Sequence, residues 1–218
     1  MVDLFQKKAM LFDFDGVVVN SEQIYEEYTR EQFLHYGIQI PPSDWSLFKG
    51  ISTDVFFKLI KHRYLPDVDI RELEEAWQVG LRKKIREKLA YTPYFCHFYE
   101  KIHPYFKTAL VTSSRRSMIE WIFQNTIIEN VFSLIITSDD VKNTKPHAEP
   151  YVTAAQKLGV PIEQCIVIED SIRGITSGKK SGAFIIAITT SHSREELKDA
   201  DLIIDSWNEL SLEKLWML

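Results

Sequence analysis

The strongest constraint on this chain is a set of short apolar runs with no polar alternation inside them. They are Ala9–Phe14 (AMLFDF, ending in carboxylates), Thr108–Val111, Leu134–Ile136, Cys165–Ile168, Phe184–Ile188 and Leu202–Ile204. A strand with one wet face alternates apolar and polar residues, whereas a run apolar throughout is buried on both faces. Helical stripes separate the later runs. Met118, Ile119, Ile122 and Phe123 share a face after Arg115, and Val152, Ala155 and Leu158 share one before Gly159. Ser171 has the chemistry to cap a helix that runs to Gly182. Strands of this kind alternating with helices predict an α/β fold, a parallel sheet covered on both faces.

From Ser21 to Ala90 the texture changes, and every apolar spacing is helical. Tyr25, Tyr28, Phe33 and Tyr36 form one stripe; Val55, Phe56, Leu59 and Ile60 form a second. Leu73, Ala76, Trp77, Leu81, Ile85 and Leu89 form a third. Pro41–Pro42, Pro66 and Pro93 mark the breaks. A chain of 218 residues sits between one domain and two. The pattern resolves this as a core of residues 1–19 and 92–218, interrupted after its first strand by an all-helical insert over 20–91.

Composition removes several classes. With 26 Lys and Arg against 31 Asp and Glu the net charge is −5, without the basic footprint of a nucleic-acid binder. No apolar run reaches the roughly 18 residues that span a bilayer. Lys7 and Lys8 followed by an apolar run imitate a signal peptide, but Asp13 and Asp15 cut that run short. Two cysteines, Cys96 and Cys165, fit a reducing compartment and read as structural, so a cytoplasmic location is expected. The six histidines show no metal-ligand spacing.

The chemistry-bearing residues all fall at strand ends. Asp13 and Asp15 in DFDG cannot continue a buried strand without a heavy desolvation cost, so they face the crevice at the sheet's carboxyl edge. Gly16 permits a tight turn there. Thr112, Ser113 and Ser114 follow the second run and can hold an anion. Lys142 and Lys145 lie in a loop before a helix, and Glu169–Asp170 end another strand in acid. Acid pairs at two strand ends call for a cation, and hard carboxylate oxygens favour Mg²⁺. Two carboxylates, a hydroxyl, a lysine and a further acid pair make an inventory suited to phosphoryl transfer.

Four segments in order, FDFDGVVVNSE, LVTSS, TKPHAEPY and VIEDSIRGITSGKKSG, resemble the motifs of the haloacid dehalogenase superfamily of phosphohydrolases. The resemblance is greatest to members with a helical cap after the first strand, such as β-phosphoglucomutase-like sugar phosphatases. It implies a Rossmann-like core and a helical cap. Asp13 would be the nucleophile and Asp15 the general acid/base. Thr112 and Lys145 would bind the transferring phosphoryl group, with backbone contact from Ser113. The Mg²⁺ ligands would be Asp13, Asp15 through its carbonyl, Asp170, and Glu169 directly or through water.

The implied activity is Mg²⁺-dependent hydrolysis of a small phosphorylated metabolite through an aspartyl phosphate, by a monomer or a dimer with no nucleic-acid or membrane partner. A phosphomutase and a silent phospho-ligand binder are the alternatives. Asn20 stands where many members have Asp, and Ala148–Glu149 replace the usual Pro-Asp. Tyr25 and Thr53 replace a His and a phosphate-gripping Arg of the mutases, which favours hydrolysis. Lys49–Gly50 resembles a cap loop that contacts substrate, although the reading of Lys49 as a surface charge is preferred.

Overall fold

The apolar runs form a parallel sheet because each is apolar on both faces and needs cover above and below. The computed structural model describes residues 7–48, 51, 53–64 and 69–218. Its strands are β1 (Ala9–Phe12), β2 (Lys107–Val111), β3 (Leu134–Ile136), β4 (Cys165–Glu169), β5 (Phe184–Ile188) and β6 (Leu202–Ile204). They lie in the order β3-β2-β1-β4-β5-β6, all parallel. The order reverses at β1, the topological switch point where open α/β sheets bind ligands at their carboxyl edge.

Three helices follow β1, namely α1 (Ser21–His35), α2 (Thr53–Tyr64) and α3 (Ile70–Lys88). Their apolar stripes converge on Trp77, whose ring contacts Tyr25, Tyr28, Phe56 and Phe57. Its Nε1 donates to Thr29 Oγ1 at 2.9 Å. The entry and exit of this helical segment are tied together. Asn20 N donates to Ala90 O at 3.0 Å, and Ala90 N returns a bond to Asn20 Oδ1 at 2.9 Å. Thr92 Oγ1 then donates to Val17 O at 2.5 Å.

The remaining helices are α4 (Phe95–Ile102), α5 (Arg116–Asn125), α6 (Glu149–Leu158), α7 (Ile172–Ser181) and α8 (Leu212–Trp216). Side chains alternate across the sheet. Met10, Phe12, Ile166 and Ile168 join one core cluster with Phe95, Ile119 and Trp207. Ala9, Leu11, Val167 and Ile185 join the other, beneath Tyr151 and Ala154 of α6 and Ile175 of α7. Both faces are therefore covered, as the sequence predicts.

Local differences have physical reasons. The first strand stops at Phe12 rather than Phe14 because the chain turns at Gly16, which has φ +77°. Tyr36 falls outside its stripe and is exposed, since α1 ends at His35 before Gly37 at φ +72°. In α2 the buried face is Phe56, Phe57 and Ile60, because aromatic packing onto Trp77 rotates Val55 and Leu59 to its edge. In α6 the packing of Tyr151 and Ala154 moves Val152 and Leu158 likewise. Ala76 is exposed. Cys165 is buried, but Cys96 lies exposed on α4 and has no core role. Lys49–Gly50 and Pro66 lie outside the described residues.

Candidate active site

Asp13 extends the ladder by one bond, its N–H donating to Ile168 O at 3.0 Å, and the chain then turns through Gly16. The turn must carry glycine for two reasons. Its φ is positive, and a Cβ there would sit 1.8 Å from Asp170 Oδ2. This close approach sets the β1 turn against the end of β4.

Lys145 ties the centre together. Its buried ammonium donates to Asp13 Oδ1 at 2.5 Å, Glu169 Oε1 at 2.6 Å and Val111 O at 2.8 Å, three strand ends at once. Glu169 is fully buried and hydrogen-bonded on both carboxylate oxygens. Tyr151 donates to its Oε1 at 2.7 Å. Its Oε2 accepts the Asp170 N–H, the Ser171 N–H and the Ser171 hydroxyl. Gly174 on α7 makes room, since a Cβ there would fall 1.8 Å from this carboxylate.

Asp15 accepts from Ser21 Oγ on Oδ1 at 2.5 Å and from Ser114 Oγ on Oδ2 at 3.3 Å. Asp170 accepts from the Ser191 and Thr190 hydroxyls, and its carbonyl lies 2.8 Å from His192 Nδ1. Ser21, Tyr151, Thr190, Ser191 and His192 were not singled out by sequence reasoning as site residues. The hydroxyls read as ordinary helix-start or turn chemistry, and His192 belongs to no recognised metal-ligand spacing.

The electrostatics of the centre are dominated by clustered buried carboxylates. Burial raises Asp13 and Asp170 well above the usual carboxylate range; Lys145 opposes this for Asp13, while Glu169 adds to it for both. Burial also raises Asp15, against the pull of the Ser21 and Ser114 hydroxyls. Burial disfavours the Lys145 charge, but Asp13 and Glu169 outweigh it and hold the group above its ordinary value. Asp13, Glu169 and Asp170 each offer an oxygen within 4.8 Å of the others. One ammonium does not balance three such carboxylates with Asp15 beside them. An all-oxygen donor set under this charge fits a hard divalent cation.

Above the acids opens a cleft with a cavity volume of about 100 Å³. Its lining includes Asp13, Asp15, Ser113, Ser114 and Lys145 below, and Tyr25, Trp45, Phe48, Phe56 and Trp77 from the helical segment above. Of the residues expected at the site, Asp13, Asp15, Lys145, Glu169 and Asp170 come together. Ser113 lines the cleft. Thr112 is buried beneath it, its Oγ1 accepting the Ser114 N–H at 3.0 Å. Lys142 is not drawn in and stays exposed. Glu149, in place of the usual Asp, closes the Lys145 loop by accepting from the N–H groups of Lys142 and Asn143.

Fold and site define an α/β enzyme with an acidic, lysine-bridged centre at the sheet's switch point. The chain belongs to the haloacid dehalogenase-like hydrolase family, whose family model matches residues 10–188. Glycerol-1-phosphate phosphohydrolase 2 of Saccharomyces cerevisiae is 28% identical, over 90% of this chain and 81% of its own. A family IA, variant 3 HAD hydrolase of Entamoeba histolytica superposes with a TM-score of 0.82 at 25% identity, covering 96% of this chain and 98% of its own. The β-phosphoglucomutase of Clostridium difficile shares the fold, with a TM-score of 0.79 at 24% identity over 97% and 96% of the two chains.

Proposed function

We propose that this chain is a Mg²⁺-dependent phosphatase that hydrolyses a small phosphorylated metabolite, a sugar phosphate or similar, through an aspartyl phosphate on Asp13. The observation that carries the reading is the Lys145 ammonium shared by Asp13 and Glu169, with Asp170 completing a buried acid group. Kinship with a yeast enzyme named for glycerol-1-phosphate supports a small substrate.

Asp13 attacks phosphorus in line and the bond to the leaving oxygen breaks. Asp15, whose carboxyl burial pushes above its ordinary value, gives its proton to that oxygen. As a base it then takes a proton from the water that cleaves the aspartyl phosphate. Lys145 holds the nucleophile and draws charge from the phosphoryl oxygens. The Thr112 hydroxyl and the Ser113 backbone N–H add donors to the same oxygens. A divalent cation held by Asp13, the Asp15 backbone carbonyl and Asp170, with Glu169 directly or through water, would supply further positive charge against the phosphoryl group. Residues 20–91 act as the cap that shields this chemistry from water and reads the leaving group. Tyr25 and Thr53 at the cleft wall favour hydrolysis over phosphoryl return to a second sugar position.

The test is p-nitrophenyl phosphate hydrolysis with Mg²⁺. The wild-type chain turns over and Asp13→Asn falls to background; a variant retaining substantial turnover overturns the nucleophile assignment.

A further inference from the structure

We infer that Arg173 and Ser177, one turn apart on α7, are positioning residues that set the phosphate-binding lysine by gripping its backbone. The inference rests on the phosphoryl-transfer reading above. Residues 142–148 form an irregular loop with no ladder bonds to fix it. Two side chains of α7 reach across to alternate carbonyls of that loop. Arg173 Nη2 donates to Lys145 O at 2.7 Å, and Ser177 Oγ donates to His147 O at 2.5 Å.

The helix making this grip is itself registered on the other half of the ion pair. Ser171 caps α7 by accepting the Gly174 N–H, and the same hydroxyl donates to Glu169. Gly174 packs directly on the Glu169 carboxylate, and Gly178 lies against Ile185 of the sheet. One rigid element therefore fixes both partners of the 2.6 Å Lys145–Glu169 bond, the acid through Ser171 and Gly174 and the lysine through Arg173 and Ser177.

Arg173 occupies this place at a disadvantage that a surface contact would not require. Its Nε is buried without a hydrogen-bond partner among the described residues, and burial lowers the guanidinium's pKa. A neutral small residue would avoid that cost. The feature retained in exchange is a donor of fixed length aimed at the Lys145 carbonyl.

The experiment compares Arg173→Ala, Arg173→Lys and Ser177→Ala for p-nitrophenyl phosphate kinetics, inhibition by inorganic phosphate and thermal midpoint. Misplacing a catalytic group by about 1 Å can lower rate by ~10²-fold, so Arg173→Ala should lose on the order of ten- to a hundredfold in kcat/KM. The inhibition constant for inorganic phosphate should rise in parallel, since Lys145 binds that anion directly. Arg173→Lys, which keeps a donor, should recover most of the loss. Ser177→Ala should show a smaller loss in the same two readouts. Wild-type phosphate inhibition in both alanine variants, or a lysine variant no better than alanine, overturns the inference. If Arg173→Ala does not fold, Ser177→Ala decides: undiminished phosphate affinity overturns the two-point grip. If the wild-type chain binds inorganic phosphate but hydrolyses nothing, the phosphatase reading fails. The grip is then judged by phosphate binding alone.

Discussion

Asp15 carries a hydroxyl on each of its carboxylate oxygens, Ser21 on one and Ser114 on the other. Each hydroxyl can donate to an ionised carboxylate, or one can accept when Asp15 holds a proton, so the same pair serves both states of an acid/base. Asp15→Asn keeps the shape and removes the transferable proton. An alkyl phosphate, whose leaving group needs that proton, should lose about 10²- to 10⁴-fold in kcat, whereas p-nitrophenyl phosphate should lose far less. Equal small losses on both substrates would remove Asp15 from the acid role. Asp13, Asp15, Glu169 and Asp170 were legible in the sequence because carboxylates at the ends of buried runs have no inexpensive structural explanation, whereas Lys145, a loop lysine, was legible through the TKPHAEPY resemblance. Tyr151 and Ser191 were not, because a tyrosine inside an amphipathic helix and a serine in a turn satisfy ordinary folding rules. Only their convergence on Glu169 and Asp170 gives them a task.

At the scale of elements, α1 and α3 are joined by one buried bond, Trp77 Nε1 to Thr29 Oγ1, amid rings contributed by α1 and α2. Thr29→Val keeps the volume and strands the indole N–H, which should lower unfolding free energy by about 1–3 kcal/mol in urea titrations. An unchanged midpoint would mean water replaces the threonine. The helices themselves were readable from their spacing, and α3 keeps almost its whole expected stripe. The faces of α2 and α6 were not, because neighbouring rings choose among several apolar residues on a short helix. The preceding sequence does not state which ring the helix will meet. For α4 no stripe was assigned, since its eight residues begin two positions after Pro93 and offer only two turns of periodicity.

At the scale of the molecule, the acid group is a local surplus of negative charge held in place by the fold. A cation that binds only the folded chain stabilises it, by ~2.7 kcal/mol at a hundred times its dissociation constant. For a chain of this size that corresponds to a rise of roughly 5–10 °C in thermal midpoint on adding Mg²⁺. Chelator should reverse the rise, and Asp170→Asn should shrink it. A midpoint insensitive to Mg²⁺ would separate the acid group from metal binding.

The central place of β1 has a consequence for synthesis. Its two neighbours in the sheet are residues 107–111 and 165–169, so the strand that leads into Asp13 emerges long before either partner exists. The helices of residues 21–88 are made in the interval and can fold on local contacts alone. Until β4 arrives, AMLF is an unpaired apolar edge of the kind that chaperones hold and that aggregates seed from. Asp13 and Lys145 meet across 132 residues, so the buried ion pair cannot form until the chain has been made at least as far as residue 145.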